Sequence, residues 1–228
     1  MMDNLSAEVI DELLKDYPKK WMNDVPKLDK LGAIIRSRNP ICLSLIELIQ
    51  ISDWKAGERN RGRLPKLKSI VRHKTMKAFA EENDSERMRC LVSPWSSGSG
   101  IDGVGVPLGS AVLRFIFPDK FGCVDWRNWY VLSQCQNEDG KDNVLIEEPL
   151  LPALENPYSS VEIGINFYCN YLQIIREIAK RHPQRTELGA TLPLTSGLLR
   201  GFPERTPAEI DMALFSYSWA FIGKRWTK

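Results

Sequence analysis

The amino-acid sequence predicts an all-α fold, and three observations support this prediction. Apolar residues recur at helical spacing through most of the chain, the segments that carry them begin at capping residues, and they end at or before prolines. No two segments show the alternating pattern of paired strands. With 228 residues the chain is long enough for a sizeable core, and we expect a single helical domain over residues 1–228 that is divided into two lobes.

The first half of the chain is predicted to consist of short helices. Ser6 is the expected N-cap of the first helix, because Leu5 and Ile10 flank it as a hydrophobic staple. Residues 41–51 are nearly all apolar, which is typical of a buried central helix. The other predicted helices of this half lie over residues 28–38, 64–72, 75–83 and 85–92.

The second half carries clearer helix signals. An apolar stripe that begins at Leu108 predicts a helix, and Pro118 ends it. The last helix has a full start signal, with Thr206 as the N-cap, Pro207 at the first position and Glu209 completing a capping box. Between them, the sequence predicts helices over residues 126–134 and 159–180 and an ordered loop over residues 184–205.

The composition is typical of a cytoplasmic protein. The five cysteines never form a C-x-x-C pair, so we expect reduced thiols at Cys42, Cys90, Cys123, Cys135 and Cys169. His73 and His182 are the only histidines and lie in unrelated contexts, so neither a zinc site nor a histidine-based triad is expected. No run reaches the roughly 18 apolar residues of a membrane span, and residues 1–20 lack a signal-peptide pattern.

The net charge is only +2, but the chain contains one strongly basic segment. Glu58 is its only acid, and its cations are Lys55, Arg59, Arg61, Arg63, Lys66, Lys68, Arg72 and Lys74. Such a segment in a nearly neutral protein is a candidate binding surface for phosphates. A solvated helix face and loop would have the same composition, so the segment alone does not decide between the two.

Two glycines, Gly103 and Gly105, come directly before the helix that Pro118 ends. Glycine lets backbone N–H groups approach a phosphate closely, and a helix N-terminus favours negative charge there, so Gly103, Gly105 and Val106 are candidate phosphate-binding residues. An ordinary tight turn would use the same glycines. Residues 98–103 also match the letters of the dinucleotide fingerprint G-x-G-x-x-G, but no strand is predicted before them, which argues against a nicotinamide or flavin site.

Asp125 is the candidate catalytic carboxylate, because it follows this helix and begins the next one. Aspartate is also among the preferred N-cap residues, and a purely structural role remains open. Arg127 and Trp129 lie within one turn of Asp125, where they would line or brace a pocket. Trp54 stands at the edge of the basic segment, either as a residue that stacks on a base or as a core residue.

Residues 101–132 resemble the helix-hairpin-helix DNA glycosylases, the superfamily of endonuclease III and 8-oxoguanine DNA glycosylase. The resemblance implies a two-lobed all-α fold, DNA with a flipped modified base as the partner, and Asp125 as the catalytic residue of N-glycosidic bond cleavage. It also implies phosphate contacts from Gly103, Gly105, Val106, Lys55, Arg59, Arg61 and Arg63, and a base pocket with Trp54, Arg127 and Trp129. No cofactor is implied, apart from a monovalent cation at the hairpin, and a monomer is expected.

One departure from this family predicts the type of reaction. Pro107 stands where bifunctional members carry a nucleophilic lysine, and proline has no amine that can form a Schiff base. The resemblance therefore implies a monofunctional enzyme that leaves an abasic site without strand cleavage, in base-excision repair or in defence against phages with modified DNA. Two alternatives remain: a DNA-binding module of the same fold without catalysis, and a helical scaffold whose basic segment binds a protein. The sequence does not identify the excised base.

Overall fold

The computed structural model describes residues 5–17, 23–93, 100–136, 143, 145, 148–152, 160–192 and 198–222. Helices dominate these ranges, so the all-α class is confirmed. The helices are α1 (Ala7–Lys15), α2 (Val25–Arg36), α3 (Leu45–Ala56), α4 (Lys68–Ala80), α5 (Asp84–Leu91), α6 (Val106–Ile116), α7 (Trp126–Ser133), α8 (Val161–Arg181), α9 (Glu187–Thr191) and α10 (Pro207–Ile222). Short 3-10 helices lie at Glu58–Arg63 and Leu198–Gly201.

The predicted caps at both ends of the chain are confirmed. The Ser6 hydroxyl accepts a hydrogen bond from the Val9 N–H at the start of α1. At α10, the Thr206 hydroxyl accepts from the Glu209 N–H, and the Glu209 carboxylate accepts in turn from the Thr206 N–H. These local hydrogen bonds satisfy N–H groups that the helix itself leaves without an acceptor, which is why they are readable from sequence.

Several helix boundaries differ from the predictions. Residues 64–72 and 75–83, predicted as two helices, contribute to the single helix α4, and part of the basic segment forms the 3-10 helix Glu58–Arg63 instead. The central helix α3 begins at Leu45, because Ser44 and Glu47 form a capping box that the apolar pattern alone does not show. The predicted loop over residues 184–205 contains α9.

The prediction that the chain has no paired strands was wrong at one place. The strands β1 (Val92–Ser93) and β2 (Ile101–Asp102) run parallel, with Val92 opposite Ile101. Two residues are too few to show an alternating pattern, so the sequence carried no signal for them. The link between α5 and the α6 helix therefore contains a small β-pair rather than the glycine turn alone.

Two buried ion pairs connect distant parts of the core. Arg205 contacts Asp11 with a distance of 2.6 Å between Nη1 and Oδ1, and both side chains are fully buried. Arg114 on α6 pairs with Asp29 on α2. Removing one partner of such a pair leaves a buried charge without compensation, so these contacts strongly disfavour other arrangements of the helices.

The segment between α6 and α7 is held tightly between α8 and α10. The Tyr168 hydroxyl donates to the Gly122 carbonyl over 3.1 Å, and the Asp211 carboxylate accepts from the Cys123 N–H over 3.0 Å. A Cβ atom at Gly122 would lie only 2.5 Å from the nearest Ile175 methyl, so the helices pack directly onto this backbone. This packing places the N-terminus of α7, and with it Asp125, at a defined position. Within the described ranges, no helix is both long enough and apolar enough to cross a bilayer.

Candidate functional site

Asp125 is the N-cap of α7 and carries charged partners on both carboxylate oxygens. Oδ1 accepts from the Arg127 backbone N–H over 3.0 Å and from its guanidinium over 3.1 Å. Oδ2 accepts from the Lys55 ammonium over 3.2 Å. The capping role that the sequence left open is therefore present, and it occupies only one of the two oxygens.

These contacts decide the ionisation of Asp125. Burial alone would raise the pKa of this carboxyl, but the Lys55 ammonium, the Arg127 backbone N–H and the Arg127 guanidinium outweigh burial and lower the pKa below its ordinary value. The carboxylate is accordingly ionised at neutral pH. Its side chain is 16% exposed and that of Lys55 is 11% exposed, so the pair is sheltered yet reachable.

A cleft lies on one side of Asp125 and is the more enclosed of two spaces at this residue; its empty volume of about 600 Å³ includes space that is open to solvent. Tyr17 and Phe215 contribute aromatic walls, with ring centroids 5.9 Å apart, and Trp54 lines the same space. Asp211 on α10 also lines it. The mixture of aromatic walls with a few polar groups is typical of sites for small flat ligands.

A wider groove of about 1,050 Å³ lies on the other side of Asp125. Its lining includes Gly103 and Gly105 before α6, together with Arg63 from the basic segment. Three cations line it, namely Lys55, Arg63 and Arg127, and Asp125 is the one carboxylate among the described lining residues. The groove thus favours an anionic partner and presents a single ionised acid to it.

Gly103 connects the turn before α6 to the basic segment. Its φ of +76° is in the left-handed region, and a Cβ atom there would lie 2.4 Å from the Arg63 carbonyl oxygen, so only glycine fits. The Asn60 side-chain amide donates to the Gly103 carbonyl over 3.4 Å. The two phosphate-binding candidates, the glycine turn and the arginine segment, therefore meet along the backbone as well as across the groove.

Gly105 has a different role from Gly103. It is the N-cap of α6 with a φ of −85°, no side chain caps the helix, and a Cβ atom would meet only Pro107 at an ordinary distance of 3.7 Å. The fold therefore does not require glycine at this position. The buried residue Val106 begins the helix, and the first N–H groups of a helix have no intrahelical acceptor.

The three arginines of the basic segment differ in their surroundings. Arg59 and Arg63 are exposed, and Arg63 lines the groove. Arg61 makes a two-pronged ion pair with Asp53, with distances of 2.6 and 2.7 Å, so it is engaged within the protein. We therefore expect Arg61 to contribute less to phosphate binding than its neighbours.

Two of the three candidates for a base pocket lie together, and the third lies elsewhere. Trp54 lines the enclosed cleft, and Arg127 lines both the cleft and the groove. Trp129 is a core residue that lines neither space, since it packs edge-on against Phe167 and its indole N–H donates to the Pro152 carbonyl over 3.1 Å. Trp95 precedes the glycine turn, where the sequence leaves open insertion into the DNA duplex or packing on the core, and it lies outside the described residues.

A buried polar network beneath Asp125 was not predicted from the sequence. Asp211 accepts from the Tyr171 hydroxyl over 2.5 Å, from the Asn128 side-chain amide over 2.9 Å and from the Cys123 N–H over 3.0 Å. Burial raises the pKa of Asp211 to about 6. Asn128 belongs to α7 and Cys123 to the segment before it, so Asp211 fixes the backbone on both sides of Asp125 and thereby its position. No motif signals this role, because each member comes from a different element.

The Cys123 thiol is not a candidate nucleophile. Burial raises its pKa to about 11, so it is protonated at neutral pH. The described residues also contain no group of three or more histidine, cysteine or acidic side chains that would hold a metal ion.

The turn before α6 contains the carbonyl oxygens nearest to the site of the monovalent cation that the family resemblance implies. The carbonyl oxygens of Ile101, Gly103 and Val104 already accept hydrogen bonds, from the Val104 N–H, the Asn60 amide and the Ser93 N–H. A cation would have to share these oxygens with N–H donors. No step proposed below depends on such an ion.

Comparisons with protein-family models, with curated proteins and with solved structures find no match to this chain.

Proposed function

We propose that this protein is a DNA glycosylase with a helix-hairpin-helix glycosylase-like, two-lobed fold, which hydrolyses the N-glycosidic bond of a modified or damaged base. One observation carries the proposal. Asp125, an ionised carboxylate, lies where an enclosed aromatic cleft meets a groove lined by cations and by the N-terminus of α6. A groove for phosphates beside a cleft for a flat ligand is the arrangement that base excision from a flipped nucleotide requires.

In the proposed reaction, DNA lies along the groove and the flipped base enters the cleft. Departure of the base leaves positive charge on the deoxyribose, and the fixed Asp125 carboxylate stabilises that charge and orients the attacking water. Lys55 and Arg127 hold the carboxylate ionised and in one orientation. Preorganisation of this kind avoids the cost of rearranging charges during the reaction.

Water is the proposed nucleophile, because Pro107 has no amine to offer at the entrance of α6. The product is then an abasic site in an intact strand. Lys55 is the amine that lies next to Asp125, so it is the residue to examine if a covalent intermediate is found. We propose a cytoplasmic monomer that acts in base-excision repair or in antiviral defence.

The alternative is a DNA-binding module without catalysis. The observation that favours it is the capping hydrogen bond from the Arg127 N–H, which gives Asp125 a structural reason to be present. In that case the groove would bind DNA and the cleft would have no chemical role.

The substitution Asp125→Asn separates the two functions. Asparagine caps helices about as well as aspartate, so the variant should keep the fold, and its DNA affinity should stay within a few-fold of the parent protein. Loss of the fixed charge should slow base release by roughly 10²- to 10³-fold. The assay incubates both proteins with duplexes that each contain one modified base and measures released base and alkali-labile sites.

Asp53→Asn is the matched control, because Asp53 is also paired with an arginine but lines neither the cleft nor the groove. It should leave base release unchanged. Full activity in a folded Asp125→Asn variant would remove Asp125 from catalysis and return it to a capping role.

A further inference from the structure

Trp54 carries a buried donor without an acceptor. Its indole Nε1 is buried and has no hydrogen-bond partner among the described residues, although the side chain lines the enclosed cleft. Most buried polar groups in proteins are paired, and an unpaired one costs about 1–3 kcal/mol. Such an atom beside a cleft is a candidate contact for a ligand.

The charged groups around the cleft are paired within the protein. Asp211 accepts three hydrogen bonds from within the protein. Arg114 pairs with Asp29, and Lys55 hydrogen-bonds to Asp125. Among the described side chains that line the cleft, Trp54 carries the buried polar atom without a partner. Because that atom is a donor, a ligand that supplies an acceptor satisfies it.

The position of this donor is well defined. The Trp54 ring packs edge-on against Phe115, with centroids 4.9 Å apart and an interplanar angle of 82°. Phe115 belongs to the buried helix α6 and is itself fully buried. A donor held by packing of this kind selects between ligands more sharply than one on a mobile side chain, because it does not turn away from a mismatched group.

We propose that Trp54 reads the base by donating its indole N–H to a carbonyl oxygen, and that the substrates are deaminated bases. This inference rests on the proposed glycosylase function and names its substrate class. Uracil and hypoxanthine carry a carbonyl oxygen where cytosine and adenine carry an amino group. An amino group in that position would place two donors against each other and leave the indole N–H unpaired, so cytosine and adenine are rejected.

The test uses two pairs of duplexes that differ in one base, uracil against cytosine and hypoxanthine against adenine. Base release is measured in single turnovers for the parent protein, for Trp54→Phe and for Trp129→Phe. Phenylalanine keeps a flat ring and removes the N–H. Trp129→Phe is the matched control, because it also removes an indole N–H, but Trp129 lines neither the cleft nor the groove.

We expect the parent protein to release at least one deaminated base more than 100-fold faster than its undamaged counterpart. Trp54→Phe should slow this release by roughly 10- to 100-fold and reduce the preference to a few-fold, whereas Trp129→Phe should keep the preference. A second readout does not need catalysis. In the Asp125→Asn background, equilibrium binding should favour the uracil duplex over the cytosine duplex, and adding Trp54→Phe should abolish that difference.

The outcomes separate this inference from the proposed function. An unchanged preference in a folded Trp54→Phe variant would overturn the role of Trp54 and leave the glycosylase assignment intact. Release of alkylated or bulky bases, but of neither uracil nor hypoxanthine, would overturn the substrate class and again leave the assignment intact. Absence of Asp125-dependent release from every modified duplex would overturn both.

Discussion

The two glycines before α6 offer a test in which one substitution reports on the fold and the other on the ligand. Gly103 has a φ of +76° and touches the Arg63 backbone, whereas Gly105 has an extended backbone and open space around its Cα. Gly103→Ala should therefore destabilise the protein. Gly105→Ala should fold normally, so that any loss of DNA affinity reports the close approach of a phosphate to the N-terminus of α6.

The magnitudes follow from these two surroundings. Placing alanine in the left-handed region costs about 1–2 kcal/mol, and a Cβ atom 2.4 Å from the Arg63 carbonyl oxygen forces a backbone shift that costs about 1–3 kcal/mol more. At Gly105, alanine is a weaker N-cap than glycine, but it lowers the entropy of the unfolded chain by a similar amount. We expect Gly105→Ala to change the free energy of unfolding by less than about 1 kcal/mol.

Thermal denaturation and DNA binding by fluorescence anisotropy measure the two effects. Gly103→Ala should lower the melting temperature by at least about 5 °C. Gly105→Ala should keep the melting temperature and weaken DNA binding by roughly tenfold or more, as expected for a lost hydrogen bond to a charged phosphate. Parent-like DNA affinity in the stable Gly105→Ala variant would show that this end of α6 does not hold a phosphate and that the glycines form an ordinary turn.

Three further predictions concern charge and product. DNA affinity should fall steeply with salt, and replacing Arg59, Arg61 and Arg63 with glutamine should flatten the slope of log affinity against log salt concentration by about 2. Each lost phosphate contact changes this slope by about 0.9, and Arg61 is held by an internal ion pair, so two of the three arginines count. An unchanged slope would show that DNA binds elsewhere on the protein. Because proline stands at position 107, borohydride should trap no covalent adduct with substrate DNA, and the strand should stay intact until alkali treatment. A trapped adduct would instead indicate a lysine nucleophile and contradict the monofunctional assignment. Burial raises the pKa of Asp211 to about 6 in the folded protein, so the folded state binds this proton more tightly than the unfolded chain, and the stability that the proton contributes is lost as pH rises from 4 to 6. The stability of Asp211→Asn relative to the parent should therefore increase by about 2 kcal/mol between pH 4 and pH 7, and a difference that does not change with pH would contradict the assignment.

The parts of the fold that were predictable from sequence depend on neighbouring residues. The caps at Ser6 and Thr206, the long helix α8 and the start of α6 after the glycine turn all follow from patterns within a few positions of the chain. The boundaries around the basic segment were less predictable. There, a 3-10 helix and one continuous helix α4 replace the two predicted helices, because packing against other elements overrides weak local preferences.

Local spacing and residue type are enough to predict the all-α class, the starts of α1, α6 and α10 and the candidate carboxylate Asp125. Only the tertiary structure brought Lys55 to within 3.2 Å of that carboxylate, buried Trp129 away from the cleft and placed Asp211 beneath α7. These residues lie on helices far apart in the chain, and no local pattern records which helix faces will meet. The unpaired indole N–H of Trp54 was likewise not predictable from local sequence, because every segment that packs around a donor decides whether it finds an acceptor.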